Sequence, residues 1–141
     1  MAFWRTYYHL VWATWKRQPL ITPPRESDLY SYIFGKSDTL GCILHAIGGI
    51  ENHIHLVVSI PPKLSVAEFV KAAKGSSAHH INGQGTATDL PLKWQRGYGV
   101  FTLGGKQLDE AKAYVERQKE HHAQGTLIPA LERLQDEEDA R

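Results

Sequence analysis

Two apolar stretches separated by a short polar corner constrain the fold of this chain more than any other feature. Cys42 to Ile50 and Ile54 to Ile60 are rich in aliphatic residues, Gly48, Gly49, Glu51 and Asn52 lie between and around them, and Pro61-Pro62 stops the second. Runs of that length and composition form strands, and so short a corner makes them antiparallel neighbours. A third strand is expected from Phe3 to Trp15, where Tyr7, His9, Val11 and Ala13 alternate with Tyr8, Leu10, Trp12 and Thr14. Both of its faces are mostly apolar, which puts it inside a sheet.

Helices fill the intervals. Gln18 to Pro24 holds three prolines and predicts a loop, and Arg25 to Leu40 carries Leu29, Tyr32, Ile33 and Leu40 at helical spacing. Ser65-Val66-Ala67-Glu68 has the spacing of a capping box, and it opens a helix with Val66, Phe69, Val70 and Ala73 buried and Lys71 and Lys74 off that face. Asn82 to Pro91, rich in Gly, Thr and Asn, predicts a mobile loop. Leu92 to Leu103 returns to strand character, and Lys106 to Gln124 lacks Gly and Pro and predicts one long helix closed by Gly125. The order β-α-β-β-α-β-α matches an α+β, ferredoxin-like antiparallel sheet with an extra C-terminal helix, which carries Tyr114. Residues 1–125 form the expected single catalytic domain. Residues 126–141 form a short acidic extension: a packing helix through Leu127, Ile128, Leu131 and Leu134 is the default, with a solvated end at Asp136 to Asp139.

At 141 residues the chain is sized for one core, burying roughly two-thirds of the surface of its unfolded form. Hydrophobic residues at 42% with four Trp, six Tyr and four Phe exclude a disordered chain. Cys42 is the sole cysteine, which excludes an intrachain disulfide and a Cys-rich zinc site and predicts a buried thiol. No apolar run approaches the ~20 residues of a membrane span, and no basic-then-apolar leader opens the chain, so a cytoplasmic protein without a membrane partner is expected. Net charge is only +1 but unevenly spread: residues 63–106 carry six basic and two acidic residues, and residues 107–141 carry five and nine. A local positive field of that kind can hold phosphates.

His53-Ile54-His55 starts the strand after the corner, and residues two apart on a strand lie about 6.6 to 6.8 Å apart on one face. Both imidazoles can therefore meet one metal at about 2.1 Å each. Two imidazoles hold a metal weakly, so a further ligand is needed. The last helix offers Tyr114, Gln118 and His122 at i, i+4 and i+8, with His121 beside them. A packing stripe would put Leu or Val at position 118; a polar side chain there singles out Tyr114 among the tyrosines. For nucleic acid, cations and flat side chains are required, and Lys71, Lys74, His79, Lys93, Trp94 and Arg96 are the candidates. No Gly-Lys-Ser/Thr phosphate loop is present, so no nucleotide cofactor is expected.

Four ordered stretches together carry a resemblance: Glu51-Asn52-His53-Ile54-His55-Leu56-Val57-Val58-Ser59, Lys74-Gly75-Ser76-Ser77, Trp94-Gln95-Arg96-Gly97-Tyr98-Gly99-Val100-Phe101, and Tyr114 to His122. From about Tyr7 to His122 the chain resembles the single-tyrosine, His-hydrophobic-His transposases of small bacterial insertion sequences, the IS200-like family, which move as single-stranded DNA. The resemblance implies that Tyr114 attacks a DNA phosphodiester to give a 5′-phosphotyrosine and a free 3′-hydroxyl. It further implies that His53, His55 and Gln118 bind Mg²⁺ or Mn²⁺, that the substrate is a single-stranded element end with a hairpin, and that a homodimer shares its active sites. Asn52 departs from the pattern, standing where an acidic residue often precedes the first histidine. The first strand, long and apolar on both faces, is expected to extend a sheet across the dimer axis. Two other readings stay open: a related strand-nicking or domesticated enzyme, and a catalytically silent ferredoxin-like nucleic-acid binder.

Overall fold

The computed structural model describes residues 2–84 and 90–132. Four strands, β1 (Tyr8–Ala13), β2 (Ile43–Ile50), β3 (His53–Ser59) and β4 (Gly99–Thr102), form one antiparallel sheet in the order β2-β3-β1-β4. Helices α1 (Pro23–Thr39) and α2 (Val66–Gln84) join them as the ferredoxin-like order requires; α3 (Leu108–Glu116), α4 (Gln118–Gln124) and the short α5 (Pro129–Glu132) follow. Ser65 caps α2 as expected, its Oγ accepting from Glu68 N–H at 3.0 Å and meeting the Glu68 carboxylate at 3.0 Å.

Side-chain alternation divides the sheet into two unlike faces. Leu10, Trp12, Ile54, Leu56 and Val58 point to the side covered by α1 and α2, where Leu29, Ile33, Phe69, Val70, Ala73, Leu92 and Trp94 complete the main core. His9, Val11, Ala13, His53, His55 and Val57, one residue out of phase, point to the other side. There Ala46 and Val57 meet Ala111 and Val115 of α3. A register shift between Leu44 and Ala46 moves β2 from one face to the other, so Leu44 belongs to the main core and Ala46 to the seat of α3. Cys42 is buried, and burial raises its thiol pKa to about 11.

Five expectations need correction. The first strand is shorter than Phe3 to Trp15, because the chain turns at Lys16 and Arg17, which adopt left-handed φ values of 51° and 53°. It is also paired on both sides, by β3 and β4, so it cannot extend the sheet across a two-fold axis; the free edges belong to β2 and β4. The last strand is Gly99–Thr102 only. Leu92 and Trp94 turn inward instead, held by the Asn82 side chain, which bonds the Leu92 backbone at 2.9 and 2.7 Å, and the chain reverses at Gly97 with φ 83°. Asn82 is therefore helical and not the start of a loop; the middle of that expected loop, 85–89, lies outside the described residues. The predicted long helix breaks at Arg117 (φ −107°, ψ 27°) into α3 and α4, and Gly125 closes α4 in the left-handed conformation as expected. The acidic run Asp136 to Asp139 lies outside the described residues. Among those described, no helix is long and apolar enough to cross a membrane.

Candidate active site

His53 and His55 project from β3 onto the face covered by α3 to α5, with rings 5.0 Å apart at 68°. Each has its Nδ1 engaged, which turns its Nε2 outward. His53 Nδ1 lies 2.8 Å from the Asn52 side-chain oxygen Oδ1 and donates to it, so the residue that departs from the family pattern still orients this ring. His55 Nδ1 lies 2.8 Å from His9 Nε2, and the two rings stack at 5.0 Å and 7°. His9, fully buried beneath Phe101, was not singled out by the sequence. Burial, and then the field of His55, lowers its pKa to about 3. With a cation bound, a neutral His9 would accept the His55 Nδ1 hydrogen, so that the His55 Nε2 lone pair faces the cation.

The chain returns over this face twice. His122 of α4 brings Nε2 to 3.1 Å from His53 Nε2. Glu132 of α5 then enters between the rings, with Oε1 at 3.1 Å from His55 Nε2, 3.3 Å from His53 Nε2 and 3.8 Å from His122 Nε2. Its other oxygen, Oε2, accepts a very short hydrogen bond from the Tyr114 hydroxyl, which also accepts from Ile128 N–H at 3.0 Å. Tyr114 is 4% exposed, its ring set edge-on to His55 and 4.6 Å from His121.

Electrostatics follow from this crowding. Burial lowers the pKa values of His55 and His122, with the neighbouring histidines adding to the shift and Glu132 opposing it. Burial would raise the Glu132 carboxyl, but hydrogen bonds from His53 and His55 outweigh it and hold the group well below the usual carboxylate range. Burial and the bond to Glu132 raise Tyr114, against smaller opposing effects of Ile128 N–H and Gln118.

These atoms fit a divalent cation. Ligands about 2.1 Å from a metal stand about 3.0 Å apart at octahedral edges and about 3.4 Å apart at tetrahedral ones. Three of the four separations above fall in or next to that range, and His53, His122 and Glu132 together form a compact ligand group. Gln118 is also buried on this face. Its Nε2 donates to the Tyr114 carbonyl at 3.3 Å, while its Oε1 has no partner among the described residues. A buried orphan acceptor of that kind is what a cation satisfies.

The nucleic-acid candidates are placed differently. Lys71 and His79 on α2 and Lys93 and Arg96 beyond it are exposed, and Lys93 Nζ lies 4.1 Å over the Trp15 ring. Trp94 is a correction: its indole packs edge-on against Trp12 in the main core and donates to Ser77 Oγ at 3.2 Å, leaving no face for a base. Lys74 Nζ donates to Gln95 O and Gly97 O at 2.6 and 3.1 Å and so holds this segment to α2. Because α2 covers the opposite side of the sheet, Lys71, Lys74 and His79 are not brought to the histidines. Glu132 was missed: an acid in an acidic tail carries no signal that sets it apart.

Fold and site define an α+β protein whose imidazoles, carboxylate and tyrosine converge on one face of a ferredoxin-like sheet. The chain belongs to the IS200-like transposase family, whose model matches residues 2–118; it is a DNA transposase, with a DNA-recombining role. It is 28% identical over 131 residues to the transposase of insertion sequence element IS200 from Salmonella typhimurium, covering 89% of this chain and 84% of that one. It is 24% identical over 115 residues to the ISDra2 transposase TnpA of Deinococcus radiodurans, covering 79% and 82%. Two solved structures share the fold. One, from Deinococcus radiodurans R1 and assigned as a transposase, has a TM-score of 0.66 at 24% identity over 84% of this chain and 95% of that one. The other, a REP-associated tyrosine transposase bound to a REP hairpin, has a TM-score of 0.61 at 13% identity over 82% and 70%.

Proposed function

We propose that this transposase cuts and rejoins single-stranded DNA through a 5′-phosphotyrosine on Tyr114, with a divalent cation, Mg²⁺ or Mn²⁺, held by His53 and His55. The observation that carries the reading is that the hydroxyl of Tyr114 and the Nε2 atoms of both histidines meet at one carboxylate. Gln118 and His122 supply further ligands from the α3–α4 arm. A bound cation withdraws charge from the phosphoryl oxygens of the scissile bond.

The phenolic oxygen forms a bond to phosphorus and the bond to the 3′ oxygen breaks. The hydrogen lost by the phenol is matched by the one gained by the 3′-hydroxyl, so a later 3′-hydroxyl reverses the step without ATP. The site answers the two obstacles to this chemistry. A phenol of pKa ~10 is scarcely ionised at neutral pH, and burial and Glu132 raise Tyr114 further, which a cation bound beside the phenolic oxygen would offset. A phosphodiester also repels an anion, which a cation beside it offsets. Exposed Lys71, His79, Lys93 and Arg96 are proposed to track the DNA backbone, and a hairpin-bearing element end is the proposed substrate, a reading that the hairpin in a structural relative supports. A cytoplasmic homodimer is the proposed working form.

The test uses labelled single-stranded DNA from the flanks of the element, with duplex DNA as control, and Mn²⁺. A covalent adduct is expected with single strands and is lost in Tyr114→Phe, while stability and DNA affinity stay nearly unchanged. Peptide mass spectrometry is expected to find the nucleotide on Tyr114; finding it on Tyr98 or a serine overturns the mechanism.

A further inference from the structure

Glu132 lies fourteen residues beyond the last one that the family model matches, residue 118, yet it stands at the centre of the site. We propose that Glu132 is both a ligand of the cation, through Oε1, and the residue that positions Tyr114 beside it, through Oε2. The proposal rests on the reading above that the histidines hold a cation.

Three structural observations carry it. First, Oε1 lies 3.1 and 3.3 Å from the Nε2 atoms of His55 and His53, spacings of atoms that share one metal. Second, the two oxygens have different tasks: one faces the imidazoles and the other receives the Tyr114 hydroxyl. A single rigid carboxyl group thus fixes the distance between nucleophile and cation. Imidazoles and an amide are neutral donors, so a carboxylate is the group here able to offset part of a +2 charge.

Third, the return of the tail is built into the chain. Gly125 turns in the left-handed conformation, Thr126 bonds back to His121 through its N–H at 2.9 Å and its hydroxyl at 2.9 Å, and Ile128 N–H reaches the Tyr114 oxygen. α5 then lies against β1 and β4. Glu132 arrives at the end of this path, with its side chain only 16% exposed.

Mn²⁺ binding to the full chain, measured by calorimetry and by electron paramagnetic resonance, tests the ligand role without reference to activity. Glu132→Ala and Glu132→Gln are expected to weaken Mn²⁺ by on the order of tenfold or more, Glu132→Asp to recover part of the loss, and Tyr114→Phe to leave the affinity unchanged. Circular dichroism of Glu132→Gln is expected to match the parent. The positioning role is read from the rate of adduct formation, which is expected to stay depressed in Glu132→Ala at saturating Mn²⁺ with KM for DNA unchanged. Full rescue by excess Mn²⁺ removes the positioning role. If Glu132→Ala binds Mn²⁺ as tightly as the parent, or more tightly, while the parent still forms the adduct, Glu132 is a bystander or a competitor and this proposal alone is overturned. If the parent binds no Mn²⁺ and forms no adduct, the proposed function falls with it.

Discussion

The carbonyl oxygen of Val115 lies directly over Gly48, so close that a β-carbon on residue 48 would stand 2.0 Å from it. Helix α3 therefore rests on the backbone of β2 with no side chain between them. That contact sets the depth at which Tyr114, one residue before Val115, enters the site.

Gly48→Ala forces α3 away from the sheet by more than an ångström. Overpacking of this kind costs about 1 to 3 kcal/mol of stability, and misplacing a reacting group by about 1 Å costs on the order of a hundredfold in rate. The variant is expected to stay folded at 25 °C, to keep most of its DNA affinity, and to lose adduct formation by tenfold or more. Normal adduct kinetics in a folded Gly48→Ala protein would falsify the claim that this contact sets the nucleophile.

The arm offers two ligands, and they are not equal. An imidazole is a stronger donor to a transition metal than a neutral amide, and His122 Nε2 already lies 3.1 Å from His53 Nε2. Calorimetric Mn²⁺ titrations are expected to lose more affinity in His122→Ala than in Gln118→Ala. The same preponderance of imidazole predicts tighter binding of Mn²⁺ than of Mg²⁺. The reverse order in the first comparison returns Gln118 to the leading place that the family resemblance assigns it.

Trp94 separates packing from DNA contact. With its indole in the core, Trp94→Ala is expected to cost about 3 to 5 kcal/mol in urea unfolding. At a temperature where the variant remains folded, its affinity for single-stranded DNA is expected to match the parent. A selective loss of DNA affinity with unchanged stability contradicts the packing seen here.

The metal-free protein is expected to weaken as pH falls below neutrality. His9 has an unfolded pKa of 6.5 and a folded one of about 3, so between those values the unfolded chain binds a proton that the native chain does not. Stability then rises with pH across that window, at up to about 1.4 kcal/mol per pH unit for one whole proton. His55 and His122 shift in the same direction. The Glu132 carboxylate, lowered when folded, likewise stabilises above its unfolded value and loses that contribution as pH falls. Urea unfolding without metal at pH 7.5, 6.0 and 5.0 measures the slope, and His9→Phe is expected to make it shallower.

What could be read from sequence was local and periodic. The alternation of His53-Ile54-His55 put both imidazoles on one face because strand geometry leaves no choice, and the capping box at Ser65 and the stop at Gly125 depend on a few adjacent residues. The failures needed distant partners. Leu92 and Trp94 have strand-like character, yet the segment keeps only an isolated bridge from Trp94 to Thr14, and Asn82 and Lys74 tie it to α2. Nothing near Arg117 marks a helix break. His9 looked like one more residue of an apolar strand until His55 was set beside it, and Glu132 is chemically silent in sequence because its meaning comes from a fold-back to His55, 77 residues earlier.

The two faces of the sheet differ in how firmly they are covered. α1 and α2 are bound by a continuous core of large side chains, whereas α3 rests on Ala46, Val57, Ala111 and Val115. A small apolar seat implies a low free energy of local opening, so the segment from α3 onward forms a separate, weaker cooperative unit. In hydrogen exchange its amides are expected to exchange by an opening that leaves those of α1, α2 and β3 protected. An arm that lifts while the body stays folded would carry Tyr114, Gln118 and His122 away from the two histidines of β3 together, so that nucleophile and ligands leave or return as one unit.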